Sequence, residues 1–304
     1  MLRRAIIALA ALPILGAAAP DRGPARFGTA VDVVQLNVSV MDGHRRYVTG
    51  LGEGDFAVFE DGRPQSVSFF SDGDLPFSLA LLIDCSGSME ESLSVAQKAA
   101  IRFIGTMRAR DVASVAQFNE RLTVLQDYTA DHHELERAIR STHAEGTTAL
   151  YTALYVTLRE LRAQAAAGEA RRRAIILLTD GEDTFSSLTD DQVLELARRS
   201  DITVYAIALG ARGHEHAPGA SDQAIHFLTT LARDTGGEVH LPRSLSDLEE
   251  VYGRIADELR TQYTLGYVSA NAVHDGHWRQ ITVRTPSRND LMVRYRLGYY
   301  APRR

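Results

Sequence analysis

Two hydrophobic periods divide this chain. Near the amino terminus Val34, Leu36, Val38 and Val40 alternate with Gln35, Asn37 and Ser39, the period of a half-buried strand. Asp42-Gly43 marks a turn, and apolar stretches at 56–59 and 67–70 flank a second turn at Asp61-Gly62. The carboxyl-terminal segment has the same period, at Tyr263, Leu265 and Tyr267, at Ile281 and Val283, and at Leu291, Val293, Tyr295, Leu297 and Tyr299. Neither end has enough strands to bury a sizeable core by itself. The simplest arrangement pairs them into one small β-module with the middle of the chain inserted between them. Two independent extensions are the alternative.

The middle changes character. Mostly apolar runs at 78–83, 112–118, 174–179, 202–209 and 239–241 predict buried strands. Between them apolar residues take helical spacing. Met89, Leu93, Ala96, Ala100, Phe103, Ile104 and Met107 make one helix face, and Leu245, Leu248, Val251, Tyr252, Ile255 and Leu259 make another. A short helix is expected around 135–139, a long one over 149–164, and one over 223–233 that stops at Gly236-Gly237. Strands alternating with helices predict an α/β fold with a doubly wound, mostly parallel sheet covered on both faces.

The chemistry lies where two of these strands end. Asp84-Cys85-Ser86-Gly87-Ser88 follows the run at 78–83, Asp180-Gly181-Glu182-Asp183 follows the run at 174–179, and Gly146-Thr147-Thr148 opens the long helix. Ligands of open α/β sheets bind outside the carboxyl ends of the strands, and carboxylates with hydroxyls suit a hard divalent cation. Taken singly, Asp-x-Ser-x-Ser also reads as a helix-capping loop and Thr-Asp-Gly as a turn. Glu182 and Asp183 read as solvated loop acids, with support of the site or of a neighbouring cation as the alternative.

In this order the three pieces resemble the von Willebrand factor type A domain and its metal-ion-dependent adhesion site, over roughly residues 76–261. The resemblance implies five metal ligands, Asp84, Ser86, Ser88, Thr148 and Asp180, holding Mg²⁺ or alternatively Mn²⁺ or Ca²⁺. It implies a protein partner whose Asp or Glu supplies a further carboxylate to the ion. Gly54-Asp55-Phe56, Glu60-Asp61-Gly62 and Gly298-Tyr299-Tyr300-Ala301-Pro302 are similar to a bacterial secreted subfamily that carries this domain. The resulting plan is a signal peptide at 1–19, a β segment at 27–75, the metal domain at 76–261, and a second β segment at 262–301 pairing with the first.

The leader reading rests on basic Arg3 and Arg4, an apolar stretch at 5–15 and the small residues Gly16-Ala17-Ala18-Ala19. Pro20 disfavours cleavage directly after Ala19, so the mature chain is expected to begin between Ala18 and Asp21. An uncleaved anchor is the alternative; no later run approaches the roughly 20 apolar residues of a membrane span. The protein is therefore expected to be secreted or periplasmic. The formal net charge is −6, and removing the two leader arginines brings it to −8. That argues against nonspecific nucleic-acid binding. Cys85 is the one cysteine, which excludes an intramolecular disulfide and reads as a small buried residue. His214-Glu215-His216 lacks a third ligand for zinc. A binding module rather than an enzyme is the expectation. The alternatives are a metal-dependent hydrolase and an assembly scaffold with a purely structural ion.

Overall fold

The structure, a computed structural model, describes residues 33–73, 75–165, 171–210 and 221–303. The leader at 1–19 and His214-Glu215-His216 lie outside the described residues.

The strand that carries Asp84, β5 (Phe77–Asp84), is buried at all eight positions. Its alternate residues feed two cores. Leu79, Leu81 and Ile83 pack with α1 (Glu90–Ile104), α2 (His132–Arg140) and α6 (Leu248–Thr261) on one face. Ala80 and Leu82 pack with α3 (Leu150–Ala165), α4 (Asp190–Arg198) and α5 (Asp222–Thr235) on the other. A strand apolar on both faces is stable only when both are covered, which is why the run shows no alternation.

Its sheet has six strands. β5 lies between β6 (Val112–Phe118) and β8 (Arg172–Thr179), and the order continues outward through β7 (Leu122–Thr129) on one side and β9 (Ile202–Ala208) and β10 (Val239–His240) on the other. All pairings are parallel except β6 with β7. The strand order reverses about β5, so its carboxyl end and that of β8 border the crevice where such sheets bind ligands. Sequence analysis leaves β7 and α4 unassigned. β7 has no buried residue in its pattern, being an edge strand. α4 begins at a capping box, with the Thr189 N–H donating to Gln192 Oε1 at 2.9 Å.

The two ends of the chain build a β-sandwich together. One sheet has the order β13 (Met292–Arg294), β1 (Val33–Met41), β11 (Tyr263–Val268), β4 (Val67–Asp72). The second runs β14 (Gly298–Tyr300), β12 (Trp278–Arg284), β2 (Ala57–Glu60), β3 (Arg63–Gln65). Each sheet takes two strands from each end of the chain, and their inward residues share one core around Leu36, Val38, Val58, Leu265, Tyr267 and Ile281. Two details differ from the sequence pattern. The turn at Asp61-Gly62 joins β2 to the short β3, whereas β4 crosses to the other sheet and pairs with β11. The alternating run 291–299 is two strands in different sheets, β13 on β1 and β14 on β12, because the chain changes sheets near the half-exposed Leu297.

Both crossings between sandwich and six-stranded domain are fastened by one side chain. The buried Arg172 guanidinium donates to the Leu75 carbonyl at 2.6 and 3.0 Å and to the Gln262 carbonyl at 3.4 Å. Above it lies Glu258 of α6, with no solvent exposure. Its carboxylate accepts from Ser39 Oγ at 2.6 Å, Tyr47 OH at 2.8 Å and Tyr205 OH at 2.9 Å, and pairs with Arg294. A buried charge needs such company to offset its desolvation.

Candidate metal centre

The sequence places Asp84 at the last position of β5 and Asp180 directly after β8, its neighbour. Asp84 is fully buried. Oδ1 accepts the Ser86 N–H at 2.9 Å, and Oδ2 accepts Thr179 Oγ1 at 2.6 Å. The same Thr179 hydroxyl accepts the Gly181 N–H at 3.0 Å, which fixes the start of the second acidic loop. Ser86 and Ser88 stand with their hydroxyls 3.0 Å apart, and Ser88 donates to Asp180. These four residues are brought together by their own side chains.

Thr148 reaches the group through its loop. The Gly87 N–H donates to the Gly146 carbonyl at 3.0 Å, and the Glu145 N–H donates to the Cys85 carbonyl at 2.7 Å. Gly146 has φ +75, a left-handed conformation that a side chain would strain, and Glu120 lies against it. On the far side the Thr184 and Phe185 N–H groups donate to the Thr148 carbonyl at 2.8 and 3.0 Å, while the Thr148 N–H donates to Thr184 Oγ1 at 3.1 Å. The three loops are therefore tied pairwise, and Thr148 is buried between them.

The electrostatics are those of a site short of positive charge. Burial pushes the Asp84 carboxyl up to about 6, with Asp180 adding to the rise and the Thr179 and Ser86 hydrogen bonds opposing it. Burial also raises Asp180, and the nearby Glu182 adds to it. Among the described residues, no ion pair involves either carboxylate. No group of three or more His, Cys, Asp or Glu suited to a metal occurs among them either; the residues the motif names are two carboxylates and three hydroxyls. All five are oxygen donors, which fits a hard divalent cation.

Two roles escape the motif. Thr179 orients Asp84 and was legible only as the residue ahead of Asp-Gly. Asp183, read from sequence as a solvated acid, caps α3: its Oδ1 accepts the Tyr151 N–H at 3.1 Å and Ser186 Oγ at 2.6 Å. Ser186 Oγ in turn accepts the Thr152 N–H at 3.0 Å. These bonds satisfy helix N–H groups that would otherwise be orphaned. Glu182 is exposed. Cys85 is buried and its thiol is pushed up to about 12 by burial, so it behaves as a small packed residue.

Residues 78–254 match the von Willebrand factor type A domain. The match takes in more than half of the chain, and the protein belongs to this family. Among curated relatives, the Synechocystis protein sll0103 is 32% identical over 146 residues, covering 46% of this chain and 33% of that protein. The human von Willebrand factor A domain-containing protein 3A is 27% identical over 189 residues, covering 59% of this chain and 14% of that protein. The chain thus spans a third or less of the length of these relatives. Among solved structures, a von Willebrand factor type A protein from Catenulispora acidiphila aligns with a TM-score of 0.53 at 14% identity, over 90% of this chain and 74% of its own. Proximal thread matrix protein 1 of the mussel byssus, with a zinc-occupied metal-ion-dependent adhesion site, aligns at 0.50 and 16% identity, over 62% of this chain and 48% of its own. Both show the fold.

Proposed function

We propose that this protein holds a protein partner through a divalent cation bound by Asp84, Ser86, Ser88, Thr148 and Asp180. The observation that carries the reading is the pair of adjacent carboxylates, one fully buried, supplied with neutral hydroxyls and, among the described residues, with no ion pair to a basic side chain. A divalent cation would supply the missing charge, and with only two anionic ligands it would keep affinity for a further carboxylate. An Asp or Glu of the partner fills that role. Membership of the family supports an interaction module. Mg²⁺ is the ion this reading favours, since all the donors are hard oxygens.

The reading extends to the rest of the chain. Residues 1–19 act as a cleaved signal peptide, and the protein works outside the cytoplasm, as a secreted or periplasmic member of a bacterial family. Among the described residues, no helix is long and apolar enough to cross a membrane. The working units have the bounds 76–261 for the inserted domain and 27–75 with 262–301 for the two end segments, whose described strands, within 33–72 and 263–300, build the sandwich. A hydrolase would require a base beside the ion, and the motif segments 84–88, 146–148 and 180–183 contain no histidine.

The test is capture of partners from native extract on the immobilised mature protein, in Mg²⁺ and in chelator, with Asp84→Ala and Thr148→Ala in parallel. Partners retained only in Mg²⁺ and lost in both variants support the reading. Partners indifferent to chelator overturn it.

A further inference from the structure

One aromatic side chain stands in water at the metal loops. Phe185 is 58% exposed, and among the described residues it is the one large exposed hydrophobic in those loops. The segment that presents it is pinned. Its own N–H donates to the Thr148 carbonyl at 3.0 Å, and on either side Thr184 and Ser186 bond the Thr148 N–H and the first turn of α3. A ring held in water by a bonded loop is pre-organised for contact, since little further ordering is needed when it is covered.

The metal loops that present the ring, and the turn beside them, carry exposed acids. Glu120 lies against Gly146, Glu145 follows the strand-end loop to which its N–H is bonded, and Glu182 is close enough to raise Asp180; all three are exposed. Such a rim repels a partner that is acidic throughout. It attracts one whose lone carboxylate sits in a basic setting.

We propose that Phe185 and this rim select the partner. The segment recognised has a single Asp or Glu for the cation, an apolar side chain within a few positions of it to cover Phe185, and Lys or Arg facing Glu120, Glu145 and Glu182. This inference rests on the metal-bridged reading.

The experiment is selection of a random peptide library on the mature protein in Mg²⁺ and in chelator, with wild type and Phe185→Ser. Wild type is expected to enrich peptides with one acid, a neighbouring apolar residue and net positive charge. Phe185→Ser keeps the requirement for the acid, loses the apolar preference, and binds the best wild-type peptide roughly tenfold more weakly. Enrichment of acids with no apolar or basic preference overturns this inference and leaves metal bridging standing. Peptides that need no acid, or enrichment equal in chelator, overturn metal bridging itself. Calorimetry with Mn²⁺ separates a positioning role: Phe185→Ser retains the backbone donor to Thr148, so a matching loss of Mn²⁺ affinity would show that the ring shapes the metal loops instead of meeting a partner.

Discussion

The hydroxyl of Thr179 decides how well Asp84 tolerates its place at the end of β5. Its 2.6 Å bond is the strongest influence opposing the burial that raises this carboxyl. Thr179→Val keeps the shape and removes the donor. Bonds to charged groups contribute about 1.5–3 kcal/mol, so Mn²⁺ affinity measured by calorimetry should fall by roughly tenfold or more. An unchanged value would mean that strand pairing alone positions Asp84. The raised carboxyl also sets a pH dependence. A folded group titrating near 6 holds a proton that the unfolded chain, with an ordinary value of 3.8, has already lost. The contribution of Asp84 to the stability of the metal-free protein should therefore be fully present below the ordinary value and be lost as pH rises through about 6, by on the order of 3 kcal/mol. Urea titrations of wild type against Asp84→Asn isolate this contribution, and saturating Mg²⁺ should remove the loss. A wild-type stability that follows that of Asp84→Asn at every pH would sink the claim. The five motif residues were legible because each sits in a local loop pattern. Thr179 and Asp183 were not, since their partners lie 95 and 32 positions away in sequence.

Elements with both faces buried were the easiest to read, and those at edges the hardest. β5, β6, β8 and β9 announce themselves as apolar runs, whereas β7 alternates weakly and has no buried residue. The sandwich strands show period two, but nothing local says which sheet each joins; β2 and β4, separated in sequence by the short β3, join different sheets. The connection from β4 to β5 gives this scale its prediction. Gly73 has φ +85, and a Cβ there would lie 2.3 Å from the Arg260 carbonyl oxygen at the end of α6. Backbone cannot yield as a side-chain tip can, so Gly73→Ala should cost on the order of 2–4 kcal/mol. Gly253, exposed within α6, has open space where a methyl group would stand, with nothing within 4 Å. Gly253→Ala should gain up to about 1 kcal/mol from helix propensity. Urea midpoints that shift alike for both would refute the steric argument.

At the scale of the whole molecule, the sandwich depends on both ends of the chain. Removing residues 262–303 takes away β11 from between β1 and β4, and β12 from beside β2. Residues 33–72 should then become sensitive to protease while the six-stranded domain resists, and the bared strand edges should promote aggregation. Persistent protection of 33–72 would show that the amino-terminal strands stand without their partners. Glu258 binds the two parts where they meet, so Glu258→Ala, which takes the acceptor from Ser39, Tyr47 and Tyr205 and leaves Arg294 with Glu238 alone, should cost about 3–5 kcal/mol; a loss under about 1 kcal/mol by the same titration would show that water and Glu238 relieve the site. The pairing of Val33 with Val268 has a further consequence, in time rather than in space. A ribosome delivers β1 long before β11 exists, and the inserted domain, whose own strands lie close together in sequence, has all it needs to fold first. The first strand to be made is thus among the last to find its place, and closing so long a loop is slow. Throughout that interval Val34, Leu36, Val38 and Val40 have no core to enter, which makes the opening segment the natural point of attachment for any chaperone that escorts this chain.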